Sequence, residues 1–444
     1  MLKTFSKGGI HPAENKFSAG KAIKEIKLPP QVFIPISQHI GSPAEPIVTK
    51  GDKVKTGQLI AKSTGFVSAN IHSSVSGTVA KIDKIIDITG YKQTAIIIDV
   101  EGDEWADEID RSTGINNNIE NITAKEILNK IIAAGIVGSG GAAFPTHVKL
   151  SIPEGKTCKH LIINAVECEP YLTADHQLML EKADEIIVGC RLIQKATGAK
   201  DILIGIENNK PDAIQKMLEA AKEYSDITVQ ALKVKYPQGA EKQLIKALVN
   251  REVPSGKLPI EVGCIVINVG TAFDIYEAVQ KNKPFFERVV TITGDNLSQP
   301  SNILARVGTP VNVLINAIGG IPEDTGKIIS GGPMMGKSLC VETAPITKGT
   351  SGIVVLPEKT SKRNLSTNCI RCARCISVCP MGLEPYLLKN MSYSEMYEEL
   401  QSERVLDCME CGACHYTCPA SLPLLDYIRL GKANVNKILK TKKT

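Results

Sequence analysis

The sequence has little aromatic character: Phe, Trp and Tyr make up 4% of its 444 residues, with a single Trp. Its cores must therefore be built from Ile, Val, Leu and Ala. No long apolar run is present either. Stretches such as Cys264–Val269 fall far short of the ~20 residues that cross a bilayer. Met1–Pro12 has no apolar segment of the kind that opens a secretion signal. Together these predict a cytoplasmic chain whose membrane contact, if it has any, goes through partners. The net charge is +5, and five lysines in Gly431–Thr444 (432, 437, 440, 442 and 443) equal that excess. The body is close to neutral, so a basic groove lined with aromatic platforms for nucleic acid is excluded. The tail is read as a solvated, frayed terminus. Contact with an anionic membrane face or an acidic partner is the alternative.

Cysteine is where the sequence is rich. Of thirteen cysteines, eight fall in two runs of identical spacing, which points to metal in a reducing compartment rather than to disulfides. Cys369, Cys372, Cys375 and Cys379 read C-x2-C-x2-C-x3-C before Pro380, and Cys408, Cys411, Cys414 and Cys418 repeat this before Pro419. In two-cluster ferredoxins the fourth Cys of each run ligates the other cluster. One [4Fe–4S] centre is thus expected on Cys369, Cys372, Cys375 and Cys418. The other is expected on Cys408, Cys411, Cys414 and Cys379. Structural zinc sites use paired C-x2-C knuckles set further apart. Cys411–His415 also matches the haem-attachment pattern C-x-x-C-H, but it is embedded in the ferredoxin run. Between the runs, Glu384–Val405 reads as helical, with Leu387, Leu388, Met391, Tyr397 and Leu400 as an apolar stripe that docks the cluster lobe on the body. The scattered cysteines 158, 168, 190, 264 and 340 read as small hydrophobes.

The middle of the chain alternates. Thr123 and Glu126 form a capping box ahead of Ile127, Leu128, Ile131 and Ile132, and Gly135 ends that helix. Strands are expected at Leu161–Val166, Ile202–Ile206, Ile227–Val234 and Ile265–Val269. Helices are expected at Glu185–Ala196, Asp212–Lys222, Lys242–Val249 and Ala272–Gln280. This alternation implies a parallel sheet covered by helices, which binds nucleotides at the carboxyl ends of its strands. The loop Gly138-Ser-Gly-Gly141-Ala-Ala-Phe144-Pro145 suits a phosphate, because glycine lets backbone N–H groups approach an anion. By itself it could equally be a tight turn.

Four segments in order carry a resemblance: Gly135–Lys149, Asn164–Pro170, Tyr236–Glu241 and Asn268–Thr271. They resemble the FMN- and NADH-binding subunit of respiratory complex I. The resemblance implies that Gly138, Gly140 and Lys149 hold the FMN phosphate. It implies that Asn164, Glu167 and Asn268 contact the flavin or its ribityl chain. Phe144 would stack on the dinucleotide, and Glu169 and Glu241 would bind ribose hydroxyls or the nicotinamide side. Val166 and Ala240 depart from the family pattern, each standing where an acid is usual.

Residues 1–115 resemble the lipoyl-type barrel-sandwich hybrid, in Gly51–Ala61 and Ser73–Val79. The tip at Ala69–Ser76 holds no lysine, so a structural or docking role is expected. His72, alone there, is read as structural. In residues 286–356, Val289–Gly294 is followed by a helix-like Asn302–Val307, by Val311–Ile315 and by Gly331-Gly-Pro-Met-Met-Gly336. This resembles a β-grasp module. The fold class is therefore multidomain α/β. It comprises a barrel-sandwich hybrid (1–115), a Rossmann-like parallel α/β flavin domain (116–285), a β-grasp module (286–356) and a helical two-cluster ferredoxin-like domain (357–444).

That order, with Gly8-Gly-Ile-His-Pro12 near the start, resembles the C subunits of Rnf electron transport complexes over essentially the whole chain. The resemblance implies a peripheral subunit on the cytoplasmic face of the cell membrane, within a ferredoxin:NAD+ oxidoreductase coupled to ion translocation. Its implied cofactors are FMN and two [4Fe–4S] clusters. NAD(H) would be the substrate, the other subunits its partners, and ferredoxin an indirect one. A soluble reductase resembling cobalamin reductases or the electron feeders of amino-acid reductases is the alternative. A pure relay without nucleotide binding is the third reading.

Overall fold

The computed structural model describes residues 2–442. Met1, Lys443 and Thr444 lie outside the described residues. The capping box forms as expected, and Thr123 starts α1 (Ala124–Ala133). Ile127 and Ile131 are fully buried on its inner face, and Gly135, at φ +63°, turns the chain away. α2 (Thr146–Leu150) follows the glycine-rich loop. α3 (Ala174–Glu181) and α4 (Ala183–Thr197) run consecutively. α5 (Pro211–Ala221), α6 (Glu241–Val249) and α7 (Val269–Gln280) complete the layer.

Four parallel strands lie between these helices, in the order Ile227–Leu232, Asp201–Glu207, His160–Asn164 and Cys264–Asn268. Numbered along the chain, that is 3-2-1-4. The chain winds one way from the first strand and then returns to its other side. The crevice at such a reversal is where open α/β sheets bind ligands. The two strands flanking it end on Asn164 and Asn268, which are Cα partners in register.

The barrel is made of a four-stranded and a three-stranded antiparallel sheet. Its tip is docked on the flavin domain. Asn70 Nδ2 donates to the carbonyls of Ile132 and Ala133 at the end of α1, and His72 is buried beside them. Burial pushes the His72 pKa down to about 3, so the ring is neutral.

In the β-grasp module, Asn302–Val307 is not helical. Ser301–Arg306 is a strand, antiparallel to Glu287–Gly294. Ile303 and Ala305 are fully buried with Leu304 between them less so, the two-residue spacing of a strand. Lys24–Glu25 adds to the same sheet, so the chain start belongs partly to this module.

Two expectations for the C-terminal domain change. Glu384–Val405 is broken into helices Pro385–Tyr393 and Tyr397–Ser402, with Glu395 at φ +56° between them. Leu388 and Leu400 pack on the C-terminal helix, not on the body. The tail is not frayed as far as it is described. Leu424–Thr441 is a helix, and Lys432 donates to the Cys408 carbonyl at 2.6 Å.

Candidate functional site

Most of the residues expected at the flavin meet at the crevice between Asn164 and Asn268. Gly138 N–H donates to the Phe144 carbonyl at 2.9 Å and closes the glycine-rich loop. Beneath it, Ser139 N–H donates to Thr271 Oγ1, its hydroxyl bonds Asp274, and its carbonyl accepts from Arg288. The loop is therefore held from below. Above it, no hydrogen bond within the described residues engages the amides of Gly140 or Gly141. A Cβ on Gly140 would stand 3.4 Å from that of Asn268, and Gly141 at φ +96° faces open space. Uncovered amides beside a helix start suit a phosphate.

Asn268 caps α7, its Oδ1 accepting from Gly270 and Thr271. Its Nδ2 donates to Asp175 Oδ2 at 2.7 Å. Asp175 N–H in turn donates to Glu167, whose carboxylate also accepts from His176 N–H. Glu167 thus stands at the start of α3, where carboxylates are favoured. Asn164 Nδ2 donates to the Gly239 carbonyl at 2.7 Å. Lys149 bonds both Glu241, at 2.7 Å, and the Val266 carbonyl. A bound anion therefore competes with Glu241 for that ammonium group.

Glu169 is the exception. Its carboxylate accepts from the amides of Met334 and Met335, in the Gly331–Gly336 loop of the β-grasp module. Burial pushes its pKa up to about 7, against the pull of those two amides and of Lys16. The carboxylate expected at a ribose is thus engaged in joining two domains.

Several supporting residues carried no sequence signal. Lys16 Nζ donates to the carbonyls of Glu167, Glu169 and Leu172, and Lys210 Nζ to that of Val166. Two lysines from distant segments therefore shape the acidic loop. Burial and the neighbouring Glu167 charge push Asp175 up to about 7. Burial pushes Asp274 up to about 7 as well. Nothing in a single sequence marks such residues, because long-range packing assembles their surroundings. Val166 is fully buried and would contact a Cβ on Gly239, which explains an apolar residue there.

The two cysteine runs differ in setting. Cys379, Cys408, Cys411 and Cys414 line one cavity, with Met381, Leu383, Leu388, Leu425 and Ile428 around them. The first-run Cys379 thus sits with three thiols of the second run. Cys418 in turn lies close enough to Cys375 for its charge to act there. Among the described residues, no three His, Cys, Asp or Glu side chains converge tightly enough for a single metal ion. Thiols spaced around an apolar cavity fit a cluster, whose iron and sulfide fill the middle. Cys369 and Cys372 are exposed and do not line that cavity.

The thiol-lined cavity is tied to the crevice. Tyr236, in the loop that holds Gly239 and leads into α6 at Glu241, donates from its hydroxyl to the Cys411 carbonyl at 2.8 Å. Its backbone pairs with Ile10 in both directions, and Gly9 N–H donates to the Val378 carbonyl. Gly8, at φ +66°, has no room for a side chain: a Cβ would lie 2.6 Å from the backbone of Cys379. The Gly8–Pro12 motif is a strap that ties the cluster lobe to the flavin loop.

Family-level comparisons match four segments. They are described as RnfC Barrel sandwich hybrid domain at residues 4–103, Nuo51 FMN-binding domain at 131–277, SLBB domain at 289–338 and 4Fe-4S dicluster domain at 361–419. Among curated proteins, the chain is 47% identical to the C subunit of the proton-translocating ferredoxin:NAD(+) oxidoreductase complex of Clostridium ljungdahlii, over 98% of this chain and 94% of that one. It is 43% identical to the C subunit of the Na(+)-translocating ferredoxin:NAD(+) oxidoreductase complex of Acetobacterium woodii, over 97% and 96%. It is 37% identical to the C subunit of the ion-translocating oxidoreductase complex of Rhodobacter capsulatus, over 98% and 84%. Among solved structures, NAD+-reducing [NiFe]-hydrogenase in the air-oxidized state aligns over 73% of this chain and 69% of that one. The TM-score is 0.53 at 16% identity, a likeness of fold.

Proposed function

The chain belongs to the family of C subunits of ion-translocating ferredoxin:NAD(+) oxidoreductase complexes, and from that premise we propose how its residues divide the work of the electron-transfer subunit. It is an oxidoreductase subunit that carries FMN and two [4Fe–4S] clusters and takes NAD(H) as substrate. A flavin exchanges two electrons as hydride with a nicotinamide and single electrons with a cluster.

Gly138, Gly140 and Lys149 hold the FMN phosphate. Asn164, Glu167 and Asn268 position the flavin, Phe144 stacks on the dinucleotide, and Glu241 meets its polar end. Glu169 is assigned instead to the joint with the β-grasp loop. Cys379, Cys408, Cys411 and Cys414 hold the inner cluster, and Cys369, Cys372, Cys375 and Cys418 the outer one. The observation that carries this assignment is the hydrogen bond from Tyr236 to Cys411. It joins the flavin crevice to the inner run, while of the two runs only the outer one has exposed cysteines. Single electrons are thus exchanged with partner subunits at the outer run. The chain is a peripheral subunit of a membrane-associated complex, on its cytoplasmic face. Among the described residues no helix is long and apolar enough to cross a membrane.

The test is anaerobic. The protein, loaded with FMN and both clusters, receives NADH while its visible spectrum is recorded. Bleaching of flavin and cluster bands together is expected. Bleaching of neither, with both groups shown to be bound, overturns the NADH assignment.

A further inference from the structure

From Lys359 to Arg374 the chain carries Lys359, Lys362, Arg363, Arg371 and Arg374, and no Asp or Glu. Two of these charges are neutralised locally, Lys362 by Glu358 and Arg363 by Asp426. Arg371 and Arg374 are exposed and make no ion pair among the described residues. They flank Cys372, which with Cys369 presents the outer centre to solvent. Apolar side chains stand exposed in the same segment, Leu365 at 92% and Ile370 at 68%.

A centre that must pass electrons onward needs a partner pressed closely against it. Desolvated apolar contacts hold such a partner, and unpaired cations at the rim steer one of opposite charge. We propose that the face around Cys369 and Cys372 docks an acidic redox protein, with Arg371 and Arg374 meeting its carboxylates and Leu365 and Ile370 its apolar centre. This deepens the electron-relay reading above and rests on it. An anionic membrane is the weaker occupant. The apolar residues lie on an irregular segment without an amphipathic helix, and a membrane accepts no electron.

The test bypasses NADH, so a dead nucleotide site does not affect it. The loaded full chain is reduced with dithionite, freed of excess reductant and mixed by stopped flow with an oxidised acidic [2Fe–2S] ferredoxin as probe. One electron leaves the outer cluster and reduces the probe, which is read in its own visible bands. The rate is expected to fall as salt rises. The double variant Arg371→Glu, Arg374→Glu slows transfer at low salt by about tenfold or more and flattens the salt dependence. Arg371→Lys with Arg374→Lys keeps both close to the starting protein. The midpoint potential of the outer cluster is followed in parallel by EPR. Unchanged rate and salt slope in the Glu variant overturn the proposal. So does a slowing that follows a shift in potential alone, since the arginines then serve their own cluster. Salt-sensitive binding to anionic vesicles, with probe transfer unaltered, overturns it in favour of the membrane.

Discussion

The two cysteine runs are the same string of spacings placed in two different environments. Three thiols of the second run and Cys379 surround a cavity walled by Leu and Met side chains, beneath the flavin loop. The rest of the first run stands on an open segment, with Cys369 and Cys372 exposed. Ligand chemistry is equal in both. What separates inner from outer is what packs around each: the N-terminal strap, Tyr236 and the β-grasp loop on one side, solvent on the other. Burial and nearby hydrogen bonds are main levers on cluster potential, so identical motifs acquire different tasks from their neighbours.

The largest effect should come from the ligands. Cys411→Ser is expected to remove the inner cluster, cutting iron content by about half and leaving NADH able to bleach the flavin but neither cluster. Cys369→Ser should lose a similar share of iron yet keep flavin and inner-cluster bleaching. Iron analysis with EPR distinguishes the two, and equal loss of bleaching in both variants would end the inner–outer ordering.

Next is the strap. Gly8→Ala places a methyl group against the Cys379 backbone at a left-handed φ. A cost of about 1–3 kcal/mol is expected, read as a lower melting temperature and easier loss of the inner cluster. The same change at Gly256, at φ +67° with open space around it, should cost less and spare the cluster.

A pH dependence tests the flavin side. Asp175 and Asp274 are held near 7, against 3.8 for a free side chain. Between those values the folded protein binds their protons more tightly than the unfolded chain does. Their contribution to stability is therefore complete below pH 4 and is lost as pH rises through 7. Each group accounts for a slope of up to about 1.4 kcal/mol per pH unit. Asp274→Asn should flatten the curve over pH 4–7 in denaturant unfolding of the protein without clusters, and an unchanged slope would falsify that assignment.

The smallest expected effect belongs to Tyr236→Phe. It removes one hydrogen bond to a buried carbonyl, worth about 1 kcal/mol. Stability should fall by that amount, and electron transfer from flavin to the inner cluster should slow while transfer from the outer cluster to an added acceptor does not. Equal slowing of both steps would mean that Tyr236 supports the lobe as a whole.

Much of this was legible in the sequence. The capping box at Thr123, the alternation of helix and strand, and the spacing of the cysteines are local patterns, read within a few residues by the same rules the chain obeys in folding. The helical reading of Asn302–Val307 failed because Ile303, Leu304 and Ala305 form a short apolar run that fits either period. Pairing with Glu287–Gly294 decided it. The partners of Glu169 were not legible for a related reason. A carboxylate in an acidic loop looks free until a second domain brings Met334 and Met335 amides to it.

By itself the sequence determined the two cysteine runs, the order of the modules and the alternation of helix and strand around the crevice, because each rests on spacing along the chain or on backbone periodicity. Only the tertiary structure decided which cysteines are buried and which exposed, which carboxylates are engaged in domain joints, and why Gly8 must be glycine. Those properties arise where segments more than a hundred residues apart in sequence meet, as Gly8 meets Cys379 and Tyr236 meets Cys411. Burial, not spacing, sets their chemistry.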